Sequence, residues 1–355
     1  MPRVRRLCLV WLIALIQSCL GAVSSANDEN GSVSRGGIGP ATLAIVINDA
    51  DPLSRRIGAY YAQRRQVPET NLIHVSFTPN RAVMRRGEFE QVMASVSAQV
   101  SPSIQAYALA WTLPYRVNCM SITTAFAAGY DEAFCAKGCK ATRSSPYFDS
   151  DSRTPYTDFG WRPAMLLAGT DFVNVKKLID RGVAADGTDP RGTGYLVSTS
   201  DKARNGRSRF YPGIVLMQSD RFSFELVEAN AVRNRTNVMF YFTGLAKVPA
   251  IDTNRYLPGA IADHLTSAGG KLTDSKQMSS LRWLEAGATG SYGTVVEPCS
   301  FIRKFPRPDI VINRYLNGET LLEAYWKSVA SPGQGVFIGE PLASPFRNKD
   351  ASAPP

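Results

Sequence analysis

The chain has only two histidines, His74 and His264. Any mechanism that needs several imidazoles is therefore excluded. His264 lies in PGAIADHLTSAGG, beside Asp263 and close to the hydroxyls of Thr266 and Ser267. A histidine beside a serine has the composition of a general base with its nucleophile. On the helix expected over 258–266, adjacent residues do not face each other. Ser267 is then a better partner for the ring than Asp263. A packed or capping histidine is the plainer reading of the same residues. His74 sits between Ile73 and Val75 and reads as structural.

A second group of chemically capable residues follows apolar runs of strand type. It includes Asp49, Arg116, Asp171, Thr243 and Glu297. In an open parallel sheet, ligands bind beyond the carboxyl ends of the strands. If these side chains converge they could hold a ligand, seat a divalent cation or work as an acid–base pair. The competing role for Asp51, Asp171 and Asp201 is helix capping, where free N–H groups and the helix dipole favour an acid. The glycine-rich GATGSYG at 287–293 lacks the lysine of a phosphate loop and does not open a helix. It reads as a strand with a close backbone approach. No cofactor is implied by any motif.

Of six cysteines, Cys8 and Cys19 fall in the N-terminal apolar stretch. Cys119, Cys135, Cys139 and Cys299 remain, an even number that suggests two disulfides in an oxidising compartment. CAKGC at 135–139 lies near Cys119, so at least one bridge is expected to staple 114–139. Cys299 is expected to join that region, and the three possible pairings stay open. A zinc site is the alternative, but no second close pair and no nearby histidine complete four ligands. A reactive Cys299 thiolate would need a neighbouring histidine or helix N-terminus, and no histidine adjoins it in sequence.

Positioning these residues requires alternating strands and helices. Strands are expected at 41–49, 71–77 and 104–111, with helices after Asp51-Pro52 to about 65 and over 89–100. That order means βαβ units and a parallel sheet. The pattern breaks over 114–163, which holds one short helix at 122–128, the cysteine loop and a stretch without periodicity. Such a segment reads as a disulfide-pinned irregular insertion. Alternation resumes with strands at 164–169, 192–199, 237–242, 288–296 and 335–339. Helices are expected at 171–185, 201–209, 258–266, 276–285 and 319–329. The chain thus divides into an N-terminal βαβ half at 41–113, the insertion at 114–163 and a C-terminal α/β half at 164–347, followed by a tail at 348–355.

Arg3, Arg5 and Arg6 precede the apolar run LCLVWLIALI, and small residues end at Ala26. This is the pattern of a secretory signal peptide over 1–26, leading into a flexible segment at 27–40. A lipoprotein signal through Cys19 is the rival, with Gln17 where a small residue is usual. Export to the periplasm or the medium is expected. No later run reaches the roughly 18 apolar residues of a membrane span. Loss of the three arginines lowers the net charge from +10 to about +7. No long basic block follows, so nucleic acid is not an expected partner.

The motifs FYFTG (240–244), LPGAIADHLTSAGG (257–270), EAGATGSYGTVVEP (285–298), GETLLEAYWKS (318–328) and GEPLASPF (339–346) carry a resemblance. Together with PYRVNCMS (114–121), they are similar to a sequence-defined family of exported bacterial proteins with no established activity. The resemblance runs from about 41 to 346. More distantly, the C-terminal half resembles the gingipain-type cysteine peptidases, which have a caspase-like α/β fold. In those, a strand ends in Gly-His-Gly and the next ends in the nucleophilic cysteine. Gly287-Ala288, the stretch 318–324 and Gly339-Glu340-Pro341 match later parts of that pattern. The Gly-His-Gly place here reads Thr243-Gly244-Leu245, and the nucleophile place at 262–269 has no cysteine. The resemblance therefore implies the fold without the Cys–His dyad. The expectation is an exported binding or scaffold protein with an unidentified ligand or protein partner. The alternative is a hydrolase with a replaced catalytic set, either His264 with Ser267 or a carboxylate-bound metal.

Overall fold

LAIVIN is apolar on both faces and rich in β-branched residues, the composition of a fully buried parallel strand. It forms β1 (Leu43–Asn48), which is buried along its whole length. In the computed structural model, which describes residues 37–217 and 222–347, Asp51 then caps α1 (Pro52–Arg65) by accepting the Leu53 N–H. Pro52 at the first helical position needs no N–H partner. There follow β2 (Leu72–Val75), β3 (Val83–Met84), α2 (Arg86–Gln99), β4 (Ala106–Leu109), β5 (Arg116–Val117), β6 (Met120–Ser121), α3 (Ile122–Ala128) and α4 (Pro155–Phe159). The second half contains β7 (Ala164–Leu166), α5 (Phe172–Ala185), β8 (Gly192–Ser198), α6 (Tyr211–Val215), β9 (Phe222–Glu228), β10 (Val238–Thr243) and β11 (Tyr256–His264). It closes with α7 (Leu281–Ala286), β12 (Gly290–Thr294), α8 (Pro308–Leu316), α9 (Leu321–Ser328) and β13 (Gly335–Gly339).

Ten strands make one mostly parallel sheet in the order β2-β1-β4-β7-β13-β12-β11-β10-β8-β9. Helices pack on its faces, and β3, β5 and β6 form a small separate sheet. One pairing departs from the parallel rule. β13 runs parallel to β7 but antiparallel to β12, with Gly290 opposite Gly339 and Thr294 opposite Gly335. The strands β2, β1, β4, β7 and β13 therefore point one way, and β12, β11, β10, β8 and β9 point the other. Strand carboxyl ends lie at both ends of the sheet.

Several expected elements change. The stretch expected as a helix over 258–266 is β11. Its Ala, Ile and Leu suit either state, and burial on both faces removes the alternation that marks a strand. Pro258 and Gly259 sit where the β10–β11 register shifts, and Gly259 takes φ 86°, a value that suits glycine. The helix expected over 201–209 is a 3-10 turn (Asn205–Phe210) running into α6. β9 and α8 were not anticipated, although Pro308 at the start of α8 is a helix-entry signal.

The insertion is pinned as expected. Cys119 bonds Cys135, and Cys139 bonds Cys299. All four cysteines are thus in disulfides, which belong to an oxidising, exported environment. The segment also buries Phe134, Tyr147 and Trp161 in the main core, and α3 ties to the sheet through Thr123 Oγ1 donating to the Gly335 carbonyl (2.8 Å). The lead-in is not flexible throughout: Ile38 is fully buried and its N–H donates to Glu323. The expected signal peptide, Cys19, the rest of the lead-in and the tail lie outside the described residues. Among the described residues, no helix is long and apolar enough to cross a membrane.

Candidate functional site

Because the strands reverse, the residues expected to share one crevice divide between two ends of the sheet. Asp49 follows β1 and Asp171 follows β7 at one end. Thr243, Asp263, His264, Ser267 and Glu297 gather near the carboxyl ends of β10, β11 and β12 at the other. Arg116 belongs to the small sheet, where its Nε donates to the Asn118 carbonyl (2.6 Å).

At the first end the carboxylates are exposed and locally engaged. Asp49 Oδ1 lies 2.8 Å from Nδ1 of His74, and both side chains are about half exposed. Asp171 is the N-cap of α5, accepting the Asn174 N–H at 2.9 Å. Its expected capping role is the one the structure shows.

At the second end the polar groups are buried. Successive strand side chains point to opposite faces, so Asp263 and His264 are separated by the sheet itself. On one face Asp263 meets Arg207, whose Nη2 lies 2.5 Å from Oδ1, with each side chain 1% exposed. The same guanidinium donates to the Thr243 carbonyl at 2.8 Å. Burial raises the Asp263 carboxyl above its ordinary range, and the Arg207 charge opposes that rise. Burial likewise raises Tyr325 and Tyr292 nearby.

On the other face His264 packs beside Trp283. The Trp283 indole N–H donates to Nδ1 (2.9 Å), so Nε2 must carry the proton and donate to the Met278 carbonyl (3.0 Å). Both ring nitrogens are occupied. Burial drives the imidazole pKa down to about 3, so the ring is neutral and held. Neither Ser267 nor the Asp263 carboxylate bonds it. The structure does not assemble the serine–histidine pair expected from the sequence. Ser267 is half-buried, and its carbonyl accepts from Thr294 Oγ1 at 3.2 Å.

The strand ends themselves are closed by residues that motif reading missed. Arg204 Nε donates to Thr266 Oγ1 (3.1 Å), which donates to Gln277 Oε1 (2.8 Å). The same Gln277 oxygen accepts the Ala268 N–H at 2.8 Å. Backbone lies directly over the sheet here. A Cβ on Gly244 would come within 1.9 Å of the Arg204 carbonyl, and one on Gly293 within 2.4 Å of Gly269 and Gly270. The only early signal of this arrangement was the pair Arg204 and Arg207 at helical spacing in DKARNGRSRF.

Glu297 is also structural in its contacts. It is 1% exposed, accepts the N–H groups of Cys299 (2.9 Å) and Phe301 (3.2 Å), and pairs with the equally buried Lys304 at 2.7 Å. Thr243 is fully buried and its hydroxyl has no hydrogen-bond partner. Among the described residues, no three His, Cys, Asp or Glu side chains come together in a way that could hold a metal ion.

What remains accessible beside this closed end is a shallow cavity of about 440 Å³. Its walls include Lys247, Lys276, Arg282, Gln277, Met278 and Leu272. Gln277 and Met278 are the residues that hold Thr266 and His264 from behind. Comparison with protein families, with curated proteins and with solved structures finds no match for the chain.

Proposed function

We propose that this chain is an exported α/β protein that binds or scaffolds rather than cleaves, a non-peptidase member of a gingipain-like, caspase-like fold. The observation that carries this reading is the state of His264. Its two nitrogens are taken by Trp283 and Met278, and its low pKa leaves it a poor proton acceptor near neutrality. A general base must lie within hydrogen-bond reach of the proton it removes, and here the ring is turned into the core. The closure of the β10 and β11 ends by Arg204, Thr266 and Gln277 supports the same view. The two disulfides support work in the periplasm or outside the cell.

The test uses activity-based probes and bulk substrates. The mature protein should show no fluorophosphonate adduct on Ser267 and no digestion of casein or gelatin. An adduct on Ser267 that His264→Gln abolishes would overturn the reading in favour of the hydrolase. Iodoacetamide-sensitive cleavage of casein would overturn it in favour of a peptidase.

A further inference from the structure

The cavity beside the closed strand ends combines three features that select a ligand. Its rim carries the cations Lys247, Lys276 and Arg282. Arg282 is paired with Glu285, and the nearby Asp274 carboxylate accepts the Tyr115 hydroxyl. Lys247 and Lys276 are exposed and have no carboxylate partner among the described residues, so their charge is available to a ligand. Hydroxyls stand between the cations. Ser275 Oγ accepts the Gln277 N–H (3.1 Å) and Ser279 Oγ accepts the Leu281 N–H (3.2 Å). Each O–H is left to donate outward. Leu272 and Met278 supply apolar wall for the body of an organic molecule.

The rim is also held in place. The Met278 N–H donates to the Ala246 carbonyl at 2.9 Å, which ties the Lys247 loop to the Lys276 loop. Gln277 is anchored by Thr266 and Ala268, and Met278 by His264. The two free ammonium groups are thus presented by loops fastened to the core, which lowers the ordering cost of binding. The volume falls within the range of small-ligand sites.

From these observations we infer that the cavity is a site for a small organic anion bearing at least two carboxylate or phosphate groups. The inference rests on the binding reading above and gives that reading a ligand class. Lys247 and Lys276 would take the anionic groups, Ser275 and Ser279 would donate hydrogen bonds, and Leu272 with Met278 would meet the carbon body.

Titration calorimetry of the mature protein at low ionic strength tests this, with citrate and inorganic phosphate as probes and sodium chloride at matched ionic strength as the blank. Saturable heat with either probe is expected, together with slowed amide exchange over 271–282. Binding of citrate alone assigns carboxylate recognition, and binding of phosphate alone assigns phosphate recognition. The double variant Lys247→Ala/Lys276→Ala should weaken binding by roughly tenfold or more, on the scale of losing one charge-assisted contact. Lys177→Ala, on α5, should bind like the wild type. Heat no greater than the salt blank, or a double variant that binds as tightly as the wild type, would overturn the site. Failure here leaves Ser267 unlabelled by fluorophosphonate, so it is distinguishable from failure of the non-hydrolase reading.

Discussion

The two ends of the sheet handle charge in opposite ways. At the β1 and β7 end, Asp49 and Asp171 remain in water and serve a histidine contact and a helix cap. At the β10, β11 and β12 end, the pairs Arg207–Asp263 and Lys304–Glu297 are 1% exposed. The difference shows that a polar residue after a strand has no fixed meaning. Where loops leave the end open, an acid caps a helix. Where loops fold back over the end, the same residue type becomes part of the core and must find a buried counter-charge.

That contrast sets an order of expected effects. Asp263→Asn strands a buried guanidinium, a change that costs about 3–5 kcal/mol. Urea unfolding should show that loss, and adding Arg207→Met should recover part of it. A loss below about 1 kcal/mol would place the pair in water. Next come the disulfides. Cys139–Cys299 closes a separation of 160 residues and Cys119–Cys135 one of 16. Loop-closure entropy makes the longer bridge the more stabilising, within the usual range of about 2–5 kcal/mol. Equal losses for Cys299→Ser and Cys119→Ser, each measured with its partner also replaced, would contradict this order.

Acid should act through His264. Its folded pKa is depressed to about 3 from 6.5, so below pH 6.5 the unfolded chain takes up a proton that the folded chain refuses. Stability from this residue is then full above pH 6.5 and falls as the pH drops toward 3. The slope is about 1.4 kcal/mol per pH unit. His264→Gln should flatten the acid side of the stability curve by that slope, and identical curves for variant and wild type would sink the assignment. The smallest effect belongs to the exposed end. Asp49→Asn should change stability by less than about 1 kcal/mol, with the change fading in salt.

Much of the N-terminal half was legible because local signals decide it. β-branched runs marked β1 and β2, Asp51-Pro52 marked the start of α1, and the expected helix at 122–128 matches α3 (Ile122–Ala128). The even cysteine count announced two bridges but not their partners. Strand direction was not legible, since no residue in GVFIG states whether β13 runs with or against β12. That one antiparallel pairing divided the expected site. β11 was misread because a doubly buried strand and a buried helix share a composition, and that error hid the opposite facing of Asp263 and His264. β9 could have been found: Phe222, Phe224 and Leu226 alternate with polar residues as a half-buried strand requires. Arg204, Gln277 and the free lysines 247 and 276 act through contacts between distant loops, which no local pattern announces.

The central claim is that His264 is a neutral, doubly hydrogen-bonded core residue. Nitrogen-15 NMR of the imidazole rings tests it most directly, because the chain has only two histidines and His74→Gln assigns the other signal. The account expects His264 to show a protonated Nε2 and an unprotonated, acceptor Nδ1, unchanged from pH 7.5 to 4.5. A ring that gains its second proton near pH 6.5, or that carries its proton on Nδ1, would contradict it.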